Sequence, residues 1–171
     1  MNLTMITERH NHDDGYIALV DIELANMPDS VTVSGMTLLK KDEFHVSIIA
    51  LKHLAPLINP EQPDIAEKEL VRDFIEFQKE HELADFALSG DHYLVKRDDR
   101  VTIVSMVQLD GVNELYDTLR QKYQLEFPTQ PTHITTYTLQ PNKGIGLFSR
   151  AELEASATRL HPKELDRMCK A

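Results

Sequence analysis

The sequence predicts an α+β protein, with two pseudo-symmetric antiparallel lobes around a central cleft. Three observations lead there. Strand-like segments follow one another across tight turn signals such as Gly90-Asp91 and Asp98-Asp99, as antiparallel neighbours do. Helical runs do not alternate regularly with the strands, so a doubly wound parallel sheet does not fit. A strand-like segment bearing a histidine two residues before a hydroxyl recurs once in each half, at His45-Val46-Ser47 and His133-Ile134-Thr135.

Residues 1–14 are polar and read as a flexible leader, which leaves 15–171 as a single bilobal domain. Tyr16 to Leu24 reads as a strand, Asp21 and Glu23 alternating with Val20, Ile22 and Leu24. Pro28-Asp29 marks a turn, Val31 to Leu39 a second strand, Lys40 to Glu43 a charged turn, and Phe44 to Leu51 a third strand. Three prolines between His53 and Pro63 argue for a loop. Asp64, with Glu67 three residues on, resembles a capping box, and Leu70, Phe74, Phe77 and His81 repeat at helical spacing, so a helix is expected from Asp64 to about Glu82.

In the second half, Phe86–Leu88, Tyr93–Lys96 and Arg100–Leu109 read as strands, and Val112 to Tyr123 as a helix with Val112, Leu115, Leu119 and Tyr123 on one face. Phe127 to Pro131 is a proline-bounded loop, Thr132 to Leu139 a strand, and Gly144 and Gly146 a turn region. Ser149 and Glu152 form a capping box for a helix to about Leu160, and Pro162 suits the first turn of a last short helix.

Composition narrows the function. Net charge is −10, which argues against a coat for long nucleic acid, because that role needs a broad basic surface. A small anionic ligand remains compatible, since a few cations can make a local positive site. No apolar run is long enough for a membrane span, and the N-terminus lacks the apolar stretch of a signal peptide, so no membrane partner and a cytoplasmic location are expected. A monomer is expected. The single cysteine, Cys169, excludes a disulfide within the chain. His10-Asn-His12-Asp13-Asp14 imitates the start of a His-x-His-x-Asp-His metal motif, but Gly15 stands where its last histidine belongs, so no metal is expected there.

The two His-x-Ser/Thr segments carry the chemistry. Side chains two apart on a strand share a face, so His45 joins Ser47 and His133 joins Thr135. Eight histidines and 19 Ser/Thr in 171 residues produce about one such spacing by chance, so the weight lies in the strand context and the placement of one in each half. Two imidazoles flanking a phosphorus can act as base and acid, in either assignment. Ser47 and Thr135 would donate to non-bridging oxygens. Tyr137 would line the cleft from the face of His133, and Lys143 would touch phosphate.

On these residues the chain resembles the 2H phosphoesterase superfamily, the cyclic phosphodiesterase and 2′-5′ RNA ligase-like proteins named for two His-x-Ser/Thr motifs. The resemblance implies two similar lobes around a cleft, no cofactor, and metal-independent opening of a 2′,3′- or 1″,2″-cyclic phosphate or a 2′,5′ linkage on a small nucleotide or RNA end. The RNA-acting bacterial branch usually has a helix between the first strand and the first motif, where residues 25–43 here read as turn and strand. Two other readings compete: a nucleotide-binding module that does not cleave, and an interaction protein whose acidic surface meets a basic partner.

Overall fold

A computed structural model describes residues 4–5, 7, 9–12 and 15–161. Pro162 and Cys169, and the last helix expected there, lie outside the described residues. The fold is mixed α+β: one large antiparallel sheet with four helices among the described residues. The strands are β1 (Thr4–Met5), β2 (His10–His12), β3 (Tyr16–Ile22), β4 (Ser30–Val33), β5 (Met36–Lys40), β6 (Phe44–Ala50), β7 (Phe86–Arg97), β8 (Arg100–Leu109), β9 (His133–Thr138) and β10 (Ala157–Arg159). The helices are α1 (Leu51–Ile58), α2 (Pro63–Gln78), α3 (Val112–Tyr123) and α4 (Arg150–Ser156). Strand order is β1-β2-β3-β6-β9-β8-β7-β10, with β5 also pairing β9 and β4 pairing β5. None of these helices is long and apolar enough to cross a membrane.

The main core forms where α2 and α3 cover one sheet face. Ile17 and Leu19 of β3, Val46 and Ile48 of β6, and Ile134 of β9 meet Leu70 and Phe74 of α2 and Leu115 and Leu119 of α3 there. Alternation on β3 and β6 therefore sends Ala18, His45 and Ser47 to the opposite face. The C-terminal end of α3 is joined to α2 by Asp73, which accepts hydrogen bonds from Lys122 and Tyr123. A second cluster packs Val31, Val33 and Leu38 on Leu94, Ile103 and Tyr137, and a third packs Ile145, Leu147 and Leu153 on Val95 and Val104.

Several segments differ from the sequence expectation, each for a local reason. The stretch expected as a flexible leader contributes β2, registered on β3 at His10↔Leu19, with His10 buried. Residues 31–39 are a hairpin rather than one strand. Ser34 and Gly35 both take positive φ (51° and 75°), the paired left-handed conformation that lets a two-residue turn reverse a twisted strand.

The expected loop at His53–Pro63 holds α1. Leu51, Leu54 and Ala55 bury one side of it, and Pro56 sits on the exposed side of its second turn. α2 starts at Pro63, its first-turn proline, with Gln62 rather than Asp64 as N-cap, and it ends at Gln78. Phe86–Leu88 and Tyr93–Lys96 are one strand, irregular around Gly90 (φ 86°). α3 has the expected bounds. α4 is capped as expected, Ser149 Oγ accepting from Glu152 N–H at 3.1 Å. It stops early because residues 157–159 turn extended and pair with β7.

Phe74 is fully buried at the centre of the main core. Phe74→Ala is expected to cost about 3–5 kcal/mol through lost transfer energy and a residual cavity. Urea unfolding of the variant against the parent, at unchanged slope, measures it.

Candidate active site

The two histidine-bearing strands are direct neighbours. β6 and β9 run antiparallel and are registered at Val46↔Ile134, both fully buried in the main core. Continuing that register one residue each way sets His45 opposite Thr135 and Ser47 opposite His133. All four side chains then leave the sheet on the face away from α2 and α3. Directly opposed residues have Cβ atoms about 4.5–5.5 Å apart, so each imidazole faces the other strand's hydroxyl, with the second imidazole on the diagonal at roughly 7–8 Å.

The core holds this pair in place. Tyr116 of α3 donates its hydroxyl to the Ile48 carbonyl at 2.8 Å, and its burial pushes the phenol up. Ala50 N–H donates to Gln130 Oε1 at 3.0 Å, and Thr132 Oγ1 donates to the Val107 carbonyl at 2.8 Å. The hydroxyls of Thr132 and Thr136 are thus committed to the backbone, while among the described residues no protein acceptor holds those of Ser47 and Thr135.

His133 is 7% exposed. Its Nδ1 lies 3.0 Å from the Pro131 carbonyl, which can only accept, so Nδ1 carries the proton and Nε2 bears the lone pair of the neutral ring. Burial is the main cause that holds this imidazole below the ordinary histidine range; the Pro131 carbonyl opposes that shift and the positive charge of Lys41 adds to it.

A cavity of about 1210 Å³ opens beside His45, and its lining does not include His133, Ser47 or Thr135. His45 lines it, with Tyr16 and Ala18 of β3, Lys41 and Asn142. Asp21, Glu23, Asp42 and Glu43 also line it, all with exposed side chains. Asp21 takes φ 58° where the β3–β6 register skips, the kind of bulge that re-aims a side chain. Asn142 holds the Asp42 carboxylate at 2.9 Å. The segment after Asn142 crosses the same sheet face: a Cβ on Gly144 would lie 3.9 Å from Thr135 Oγ1, and Arg97 and Arg100 donate to the carbonyls of Gly146 and Gly144 at 2.9 and 3.1 Å.

Two expected site residues lie elsewhere. Tyr137 is on the other side of the sheet. Val104 pairs with Thr135 and Ile103 with Tyr137, so Thr136 is an extra residue that inverts the alternation. Tyr137 is 4% exposed in the second core, its hydroxyl donating to the Pro28 carbonyl at 2.9 Å. Lys143 is exposed on a turn, its N–H donating to the Gln140 carbonyl at 3.1 Å, and does not line the cavity.

Lys41 is the residue that sequence reasoning missed. It reads as part of a charged turn, and only the pairing of β5 with β9 brings it to the site: Lys40 registers with Tyr137, and Lys41 N–H donates to the Thr136 carbonyl at 2.9 Å. Desolvation lowers its ammonium pKa against the opposing pull of Glu43 and Asp42.

Of the metal-like motif, both ring nitrogens of His10 are engaged, with Thr7 Oγ1 and with the Leu83 carbonyl, each at 2.7 Å. Asp13 and Asp14 lie outside the described residues, and no cluster of three His, Cys, Asp or Glu able to hold a metal occurs among the described ones. No protein-family model, curated protein or solved structure matches the chain.

Burial is the leading cause that lowers the pKa of His10, His92 and His133 from the ordinary 6.5. The unfolded chain therefore binds more protons than the native one just below that value. Thermal stability is expected to be full above pH 6.5 and to fall as the pH drops from about 6.5 towards 5. Melting curves across that range measure it, and His10→Gln should flatten part of the slope.

Proposed function

We propose that the protein is a metal-independent phosphoesterase that opens a cyclic phosphate or a 2′,5′ linkage on a small nucleotide or RNA end by two-histidine acid–base chemistry. The observation that carries this reading is the β6–β9 register, which brings both His-x-Ser/Thr pairs onto one sheet face as diagonal neighbours. The strand order supports it. Four strands of the main path lie on each side of the β6–β9 boundary, and in each half the two strands next to the motif strand on that path, β2–β3 and β7–β8, precede it in the chain with an insertion between. The insertion is the β4–β5 hairpin in the first half and α3 in the second. Two lobes related by an approximate two-fold would produce this arrangement.

In this reading His133 is the base. Its Nε2 is kept unprotonated by burial and by Lys41, and takes a proton from water as the water oxygen bonds to phosphorus. The bond from phosphorus to the ester oxygen breaks on the opposite side, and His45 gives that oxygen its proton. The product is a phosphate monoester and a free hydroxyl, and solvent returns each imidazole to its starting state. Ser47 and Thr135 donate to the non-bridging oxygens.

The test is turnover of 2′,3′-cyclic nucleotides and 2′,5′-linked dinucleotides with excess chelator present. His45→Ala and His133→Ala are each expected to lower kcat by roughly 10²–10⁴ with the fold intact by circular dichroism. Absence of turnover on all these substrates, or its abolition by chelator, counts against the proposal. Because protonation of His133 is held below the ordinary histidine range, the acid limb of kcat/KM should fall at a pH below 6.5.

A second reading is favoured by one observation, the 7% exposure of His133. A ring so enclosed suits a module that binds a nucleotide without cleaving it. Thermal stabilisation by nucleotides with no product formed would select this reading.

A further inference from the structure

The cavity beside His45 has one ammonium in its lining. It belongs to Lys41, next to β9, half-buried and within electrostatic reach of His133, with Glu43 and Asp42 near it. The other charged groups that line it are four carboxylates: Asp21 and Glu23 from the β3 side, and Asp42 and Glu43 on the turn into β6. Asp42 is fixed in place by Asn142.

A phosphoryl group beside Lys41 meets the one ammonium of the lining. A second phosphate would find no further lysine or arginine there, only carboxylates. We infer that this cleft takes a substrate carrying one phosphoryl group, held by Lys41, on an otherwise uncharged body such as a nucleoside, and that the carboxylates lining it reject polyphosphates and RNA strands.

The inference rests on the phosphoesterase reading and narrows it from nucleotide or RNA end to a cyclic mononucleotide. Its physical basis is simple. Lys41 is a point charge with three donors, partly removed from water, so its attraction to a phosphate is less screened than that of a surface lysine. The four carboxylates are exposed, so their repulsion acts through a salt-sensitive field.

The experiment compares adenosine 2′,3′-cyclic phosphate with a tetranucleotide ending in the same cyclic phosphate. The expected result is a higher kcat/KM for the mononucleotide, by about tenfold or more at low salt, shrinking as salt rises to about 0.5 M. Replacing Asp21 by Asn together with Glu23 by Gln should raise the tetranucleotide-to-mononucleotide ratio of kcat/KM. Asn accepts the positive φ of position 21, so the backbone is spared.

Lys41→Gln should weaken binding of adenosine 3′-monophosphate roughly ten- to hundredfold, with Lys41→Arg restoring most of it. In the same variant the His133 imidazole should titrate at higher pH by NMR, a change that a merely structural lysine would not cause. Equal handling of the mononucleotide and the tetranucleotide, or unchanged binding of the monophosphate by Lys41→Gln, overturns the inference and leaves the phosphoesterase reading standing. No turnover of either substrate overturns that reading; Lys41-dependent binding of the monophosphate, with exclusion of the tetranucleotide, then still upholds the preference for a single phosphoryl group.

Discussion

The pairing of Val46 with Ile134 is the contact on which the site depends. Both side chains are fully buried among α2 and α3, and each such burial is worth about 1.5–3 kcal/mol. A slip of one residue by β9 against β6 would turn Ile134 outward and press His133 and Thr135 into hydrocarbon. The core therefore does more than stabilise the sheet. By fixing which residues point down, it fixes which point up, and the polar face inherits its geometry from the apolar one.

Burial also sets the electrostatics. An acidic chain could not display a large positive surface without giving up its solubility charge. At the cavity it has instead one half-buried lysine, Lys41, placed where β5 joins β9 beyond the reach of β6. Low local polarity strengthens that one charge and keeps the neighbouring imidazole neutral. The cost appears in stability, since a histidine that resists protonation must be desolvated in the native state.

Much of this was legible in the sequence. The alternation of Phe44 to Ile49 and the helical spacing of Val112, Leu115 and Leu119 reflect burial on one face, which periodicity records directly. The two His-x-Ser/Thr segments were visible for the same reason. Tyr137 was misplaced because one unpaired residue, Thr136, inverts the alternation, and a bulge leaves no mark in a period-two pattern. The β4–β5 hairpin was hidden because Ser34-Gly35 interrupts an otherwise continuous apolar run for only two residues. α1 was hidden because proline counts as a breaker regardless of the side it faces. Lys41 owes its position to strand pairing across about ninety residues of chain, a distance at which local pattern carries no information.

The ends of the sheet have a consequence of their own. Its outermost described strands, β1 and β10, span two and three residues, while the interior strands β7 and β8 span 12 and 10. At β1 or β10 a neighbouring molecule docking edge to edge would find only a few amides and carbonyls, too few to template continued pairing. The first part of β7 is the longer opening, since among the described strands β10 covers only Tyr93, Leu94 and Val95 of its outer side.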